Sequence, residues 1–286
     1  KLDPTIINGG VLNSIGSSAK LGKSNWGLIE SDESDGSFLQ IPFNYSIITN
    51  IDNEHLDYYK NIKNLKKKFV EFIDKTPSLG KALLCIDDRN ITNILPKLKN
   101  KNYYTFGINK KSNFQILNVI QKINFSKFDV KIHIPGKKKI IKNIHIPLIG
   151  MHNIKNATSA LSVAFSIGVS DKLIKLGLKN FKGVQRRFNY LFKINDSAFF
   201  DDYAHHPTEI SSVLDSVKKV YDKKHIVCIF QPHRISRLKS LKLEFSKCFK
   251  KADTILLCPI YKAGENKKLG FTYSSFAKLL AKNSKT

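Results

Sequence analysis

Short apolar runs alternate with helix-periodic segments along most of this chain. That alternation restricts the fold more than any other feature, because it predicts parallel β/α units. "WGLIES" at 26–31 and "YSIITN" at 45–50 read as short buried strands, each ending in polar residues. Ile62, Leu65, Phe69, Phe72 and Ile73 keep helical spacing and predict a helix over 58–74. A strand "ALLCID", a short helix "ITNILPKL" and a strand "YYTFG" continue the pattern. The middle then changes character. "FDVKIHIP" and "IKNIHIPL" alternate around a Pro-Gly turn, which predicts an antiparallel hairpin added at the sheet edge. Helices follow over 153–167 and in "DKLIKLGLKN".

A boundary is expected around "FKGVQRRF", giving domains 1–182 and 183–286. Beyond it come strands "FNYLFKI" and "AFFDD", a helix from Pro207, strand "HIVCIF", a helix over 236–249, strand "DTILLC" and a helix near 272–284. The predicted fold class is α/β. It consists of a central domain with a mostly parallel sheet plus an antiparallel hairpin, followed by a Rossmann-like, doubly wound α/β domain. The start "KLDPTIINGG" lacks an initiator Met and the last domain stops on a helix, so the chain is expected to be truncated at both ends.

The 286 residues, 42% of them hydrophobic, are enough for two cores. No apolar run approaches the ~20 residues of a membrane span, and the start carries no signal-peptide segment. Cys85, Cys228, Cys248 and Cys258 show no C-x-x-C spacing. They read as small buried hydrophobes of a reducing compartment. A net charge of +25 raises the possibility of a nucleic-acid-binding protein. Its distribution argues otherwise: the lysines are spread along the chain, and a Lys/Asn/Ile bias is what compositional drift produces. Only five of the 48 basic residues are Arg, and four of those fall in "RRF" and "HRISR". Arg offers a planar fork for phosphate or carboxylate that Lys lacks, so the clusters point to oxyanion recognition.

"GSSAKLGKS" at 16–24 comes close to a phosphate-binding P-loop, but five residues rather than four separate Gly16 from Gly22. A P-loop must also open a helix. Here "GKS" leads into the strand "WGLIES", so the stretch reads as a connector to Glu30.

Ligands of open α/β sheets bind beyond the carboxyl ends of the strands. There the chain places Glu30, Asp32, Glu33 and Asp35 after one strand, and Asp52, Glu54, His55 and Asp57 after the next. Carboxylates and a His at two adjacent strand ends make a candidate Mg²⁺ site; a solvated acidic turn is the alternative. Asn153 and Asn156 lie three residues apart near a helix start, suited to capping or to reading a base edge. "DDYAHHPTEI" is the densest polar cluster, and Pro207 fits a first helical turn. Zinc held by His205, His206 and Glu209, as in a metallohydrolase, is a weak alternative because adjacent histidines lack i, i+4 geometry. His233, Arg234 and Arg237 follow a strand and read as an anion site.

Together these stretches resemble the Mur ligases of bacterial cell-wall synthesis. The match runs in order through "PTIINGG", "ESDESDGSF", "TNIDNEHLDYY", "GMHNIKNATSA", "GVQRRF", "DDYAHHPTE", "QPHRISR" and "YKAGE". "DDYAHHPTE" and "QPHRISR" point to the alanine-adding branch and its relative that recycles murein tripeptide. The resemblance implies a cytoplasmic bacterial enzyme of peptidoglycan precursor synthesis, with ATP and Mg²⁺ as cofactors. UDP-N-acetylmuramate and L-alanine are the implied substrates, and nucleic acid is not an implied partner. ATP phosphorylates the muramoyl carboxylate, and the amine displaces phosphate. The resemblance also implies that a UDP-sugar domain and the true P-loop lie upstream of Lys1, so that this stretch alone binds ATP poorly and is inactive. Carried over, Glu30 and His55 are Mg²⁺ ligands, and Asn153 and Asn156 contact adenine. Arg187 serves the ATP phosphates and Asp202 the ribose. Tyr203, His205, His233, Arg234 and Arg237 face the amino-acid end, and Asn8 approaches the UDP-sugar. Where many sister ligases carry a carbamylated Lys this chain has Phe69 beside Lys68, so no modified Lys is expected.

Overall fold

A computed structural model describes residues 2–266 and 268–284. It divides into two units. One holds the residues up to Leu148 with His152–Gly183, and the other holds Ile149–Met151 with the residues from Val184 on.

The first unit opens with β1 (Thr5–Leu12), β2 (Ser17–Lys20) and β3 (Gly27–Ile29), in the order β2-β1-β3. β2 runs antiparallel to β1 and β3 parallel to it. The P-loop look-alike is therefore a hairpin. Gly16 turns the chain at φ 64, and residues 17–20 form β2 rather than a plain connector.

A six-stranded sheet carries most of this unit. Its elements are β4 (Tyr45–Ile48), α1 (Leu56–Tyr59), α2 (Ile62–Asp74), β5 (Lys81–Cys85), α3 (Arg89–Ile94), β6 (Tyr103–Gly107), β7 (Phe114–Lys122), β8 (Phe125–Ile134) and β9 (Lys137–Ile146). The strands lie in sequence order, parallel from β4 to β7 and antiparallel from β7 to β9. The helix expected over 58–74 is broken. Lys60 leaves helical dihedrals at φ 70, and the Asn61 side chain caps α2 by accepting from the Asn64 N–H at 2.9 Å. α2 then buries Leu65, Phe69, Phe72 and Ile73 on one face. Phe69 is a core side chain, its ring 5.5 Å from that of Phe38. The expected edge hairpin is a three-stranded meander, since β7 joins it. Asp129 fixes two bulges in the meander, accepting from Asn118 Nδ2 and from the Asn143 N–H, both at 2.8 Å. α4 (Met151–Ser166) and α5 (Asp171–Lys179) complete the unit.

β5 and β6 end at a tight crossing. The Asp87 carboxylate accepts from the Ile108 and Asn109 N–H groups at 2.9 and 3.0 Å and pairs with Lys155 of α4 at 3.0 Å. Gly107 sits at φ 145, and a Cβ there would lie 2.6 Å from Asp87 Oδ1. Gly107→Ala is therefore expected to cost about 2 kcal/mol, the scale of one forced left-handed backbone. It should appear as a lower urea midpoint with an unchanged slope.

In the second unit β10 (Asn189–Ile194) and β11 (Ser197–Asp201) form an antiparallel pair. α6 (Pro207–Val220), β12 (Val227–Phe230), α7 (Ile235–Ser240), α8 (Lys242–Lys247), β13 (Thr254–Leu257) and α9 (Tyr273–Ser284) follow, with β12 parallel to β13. The α/β character is as expected, but among the described residues the strands lie in two two-stranded sheets rather than one. The helix expected over 236–249 is divided at Leu241, which leaves helical geometry at φ −113, ψ 25 while its side chain stays buried. Phe230, Phe245, Phe249 and Phe276 fill the core.

Candidate functional site

In the first unit the loops after β3 and after β4 bring together a cluster of metal-ligand type. Glu33, Glu54 and His55 are the one such set of three among the described residues, with ligand atoms within 4.8 Å of one another. His55 Nε2 lies 3.7 Å from Glu33 Oε1 and 3.9 Å from Glu54 Oε2. Local backbone geometry builds the cluster. His55 adopts φ 55, and its carbonyl accepts from the Tyr58 and Tyr59 N–H groups at 3.0 Å, which starts α1. The Tyr59 hydroxyl donates to the Glu33 carbonyl and ties the acidic loop to the helix. Burial, opposed by hydrogen bonding and by His55, raises the Glu33 carboxyl above its ordinary value; Asp32 and Glu54 add to the rise.

Glu30, expected to share a metal with His55, is not part of this set. Its backbone N–H donates to the Ile7 carbonyl at 2.8 Å, and its carboxylate accepts from the Gly9 N–H at 2.6 Å. It clasps the end of β3 onto β1. The acid beside His55 is Glu33, three residues further on. Asn8, on β1, donates to the Gly10 carbonyl at 2.7 Å.

α4 presents Asn153 and Asn156 three residues apart on one face. Asn156 is exposed. Lys155, between them, is the residue that holds Asp87.

The second unit gathers its candidates around the carboxyl end of β12. Asp202 accepts from the Phe188 and Ala204 N–H groups, both at 2.7 Å, yet burial still raises its carboxyl above the ordinary range. Glu209 accepts from the His205 and His206 N–H groups at 3.0 and 3.2 Å, and His206 caps α6 through the Thr208 N–H. Of the three residues considered above for zinc, His206 and Glu209 thus build a capping box, and His205 adds its backbone N–H to Glu209. Arg187 lies 3.6 Å from Glu209 and 5.9 Å from the Tyr203 ring centre, close to Asp202 electrostatically. His205 donates from Nδ1 to the Tyr203 carbonyl at 2.9 Å, since a carbonyl only accepts; this fixes the tautomer of the neutral ring.

His205 and His233 face each other edge-on, ring centres 6.0 Å apart. Arg237 Nη1 lies 3.3 Å from His233 Nδ1, and a guanidinium only donates, so Nδ1 is the acceptor. Arg234 holds φ 69, ψ 131, a conformation rare for any residue but glycine. Tyr203, His205, His233, Arg234 and Arg237 therefore lie around one mouth of the unit. Tyr261 and Glu265, to which the sequence reading gave no role, belong to the same wall. The Tyr261 ring stacks on His233 at 5.5 Å, and the Glu265 carboxylate accepts from the Ser236 N–H at 2.9 Å.

Burial first, and then the Arg237 charge, hold the His233 imidazole below its ordinary value of 6.5. The folded chain favours the neutral ring, so the stability it contributes is complete above that value and is lost as pH falls below it. An NMR titration is expected to show His233 protonating at lower pH than a free histidine, with the midpoint moving upward in Arg237→Gln.

Comparison with known proteins follows the same division. Residues 27–164 match the model of the Mur ligase middle domain, and residues 186–285 match that of the Mur ligase glutamate ligase domain. The UDP-N-acetylmuramate–L-alanine ligase of Pelagibacter ubique is 59% identical over 286 residues, covering 100% of this chain and 62% of the relative. That of Brucella anthropi is 40% identical over 266 residues, covering 93% and 57%. The chain thus spans about three fifths of the length of these curated relatives. The crystal structure of a UDP-N-acetylmuramate–alanine ligase from Thermotoga maritima superposes with a TM-score of 0.76 at 26% identity, over 98% of this chain and 58% of that one. Among the described residues no helix is long and apolar enough to cross a membrane.

Proposed function

Because the chain belongs to the Mur ligase family, we propose that it serves an ATP- and Mg²⁺-dependent ligase of peptidoglycan precursor synthesis, joining L-alanine to UDP-N-acetylmuramate in the cytoplasm. The observation that carries this reading is the mouth beyond β12. Two arginines and a histidine held neutral suit the carboxylate of an incoming amino acid. The named activity of the similar ligases supports the same choice.

The donor set of Glu33, Glu54 and His55 fits a divalent cation. Two carboxylates crowd one imidazole, and the Glu33 charge is disfavoured by burial and by its acidic neighbours until a cation offsets it. When bound, Mg²⁺ supplies neutralising charge for the phosphoryl group being transferred. The residues of the chain do the rest by placement. Asn153 and Asn156 offer amides to the adenine edge, and Arg187 and Asp202 serve the nucleotide phosphates and ribose. Arg234 and Arg237 grip the alanine carboxylate and leave its amine to attack the muramoyl acyl phosphate. The tetrahedral adduct then expels phosphate and loses a proton, giving the amide. Asn8 remains the candidate for the UDP-sugar.

Phosphate release by the full-length protein tests this. Release is expected only when ATP, Mg²⁺, UDP-N-acetylmuramate and L-alanine are all present. Release with L-alanyl-γ-D-glutamyl-diaminopimelate in place of L-alanine would assign the chain to murein tripeptide recycling instead.

A further inference from the structure

We propose that Glu265 is a positioning residue for the amino-acid end, acting through Ser236 on the two arginines that flank it in sequence. The inference rests on the functional reading above. Residues 261–265, "YKAGE", take no direct part in the proposed reaction. The structure gives two of them a shared task.

The loop turns tightly. Ala263 and Gly264 both take positive φ, and the Glu265 N–H donates to the Lys262 carbonyl at 3.0 Å. Its two ends then hold the two sides of Arg234. On one side, the Tyr261 N–H donates to the Pro232 carbonyl at 2.8 Å, and the Tyr261 carbonyl accepts from the Arg234 N–H at 2.9 Å. The ring of the same tyrosine lies against His233. On the other side, one carboxylate oxygen of Glu265 takes the Ser236 N–H at 2.9 Å, and the other takes the Ser236 hydroxyl at 2.5 Å.

Arg234, between these anchors, has backbone dihedrals that an L-residue adopts only when its surroundings over-determine them. Ser236 lies in the first turn of α7, and Arg237 follows it. A carboxylate that satisfies both donors of Ser236 therefore fixes where α7 begins, how Arg234 leaves the strand and where Arg237 projects. An amide at this position has no charge and only one acceptor oxygen, so it cannot take the two donors through separate oxygens as the carboxylate does. Glu265 thus sets the affinity for the amino-acid carboxylate without touching the substrate, and leaves nucleotide binding alone.

The test uses the full-length protein and compares Glu265→Gln with Ser236→Ala. Both are expected to raise KM for L-alanine about tenfold, the effect found for residues that orient a binding group from behind. KM for ATP should stay within about twofold in both, because the change is confined to one wall of one unit. The double variant is expected to be no worse than Glu265→Gln, since the two changes break one interaction. Glu265→Asp, which keeps both oxygens, should recover part of the loss. An unchanged KM for L-alanine in the two single variants overturns the inference. So does an equal rise in KM for every substrate, which marks a general loss of structure. If Glu265→Gln does not fold, Ser236→Ala carries the same comparison. A wild-type protein that releases no phosphate with L-alanine overturns the reaction reading itself, which the variant comparison cannot mimic.

Discussion

Glu33→Gln is expected to lower turnover on the order of a hundred- to a thousandfold, the scale on which losing one electrostatic group beside a developing charge acts. The same change at Glu30 should cost about tenfold, the low end for a residue that only orients its neighbours. The contrast follows from geometry. Glu33 Oε1 lies 3.7 Å from His55 Nε2, whereas the Glu30 carboxylate is engaged by the Gly9 N–H at 2.6 Å. Phosphoryl transfer gathers negative charge at one point, and the cation that offsets it must itself be held by negative groups. Glu33→Gln keeps the shape and removes the charge. Its loss should therefore be partly recovered at high Mg²⁺, whereas Glu30→Gln should show no such dependence. A Mg²⁺ titration of phosphate release reads both. A larger Mg²⁺-dependent loss at Glu30 than at Glu33 would place the cation on β3 and overturn the assignment.

The choice between these two acids shows what the sequence could and could not resolve. Four carboxylates crowd residues 30–35, spacing alone does not choose among them, and it is the family resemblance that selects Glu30. The choice depends on the path of the loop. Gly36 at φ 79 and the bond from the Tyr59 hydroxyl to the Glu33 carbonyl turn residue 33, not residue 30, toward His55. Neither constraint has a local sequence signature. The strands that did announce themselves are those with regular burial, such as β5, with four consecutive buried residues, and β8, with strict alternation. β7 stayed hidden because the bulge between Leu117 and Ile120 interrupts its alternation. β1 and β2 lie in a small sheet with little burial, so no hydrophobic pattern marks them. The helix breaks at Lys60 and Leu241 are likewise set by capping and packing against the core, which a periodicity of apolar residues runs straight through.

The arginines are a different case, because scarcity made them legible. In a chain where all but five of the 48 basic residues are Lys, Arg at 234 and 237 needs a reason, and the structure sets the Arg237 guanidinium against His233 with Arg234 next to it in sequence. If that reason is the carboxylate of an amino acid, then Arg234→Lys and Arg237→Lys must fail although the charge is kept. A lysine ammonium is a strongly hydrated point charge and cannot form two parallel bonds to a carboxylate. Each change is expected to lower kcat/KM for L-alanine about a hundredfold, near 3 kcal/mol, at the upper end for one charge-assisted hydrogen bond. KM for ATP should hold. Removing the charge, as Arg237→Gln and Arg234→Gln do, should separate the two positions by pH response. The Arg237 charge helps to lower the proton affinity of His233, and its guanidinium is the partner of His233 Nδ1 at 3.3 Å. In Arg237→Gln that charge is gone, so the acid limb of the rate profile should move to higher pH as His233 protonates more readily, whereas Arg237→Lys keeps the charge and should shift it less. Arg234 is the weaker contributor to that shift, and its replacement should leave the limb nearly in place. Steady-state kinetics from pH 5 to 8, the window in which histidine titrates, separates the two. A conservative lysine that restores full activity at either position would show that the mouth reads charge alone, and the carboxylate fork would have to be sought elsewhere.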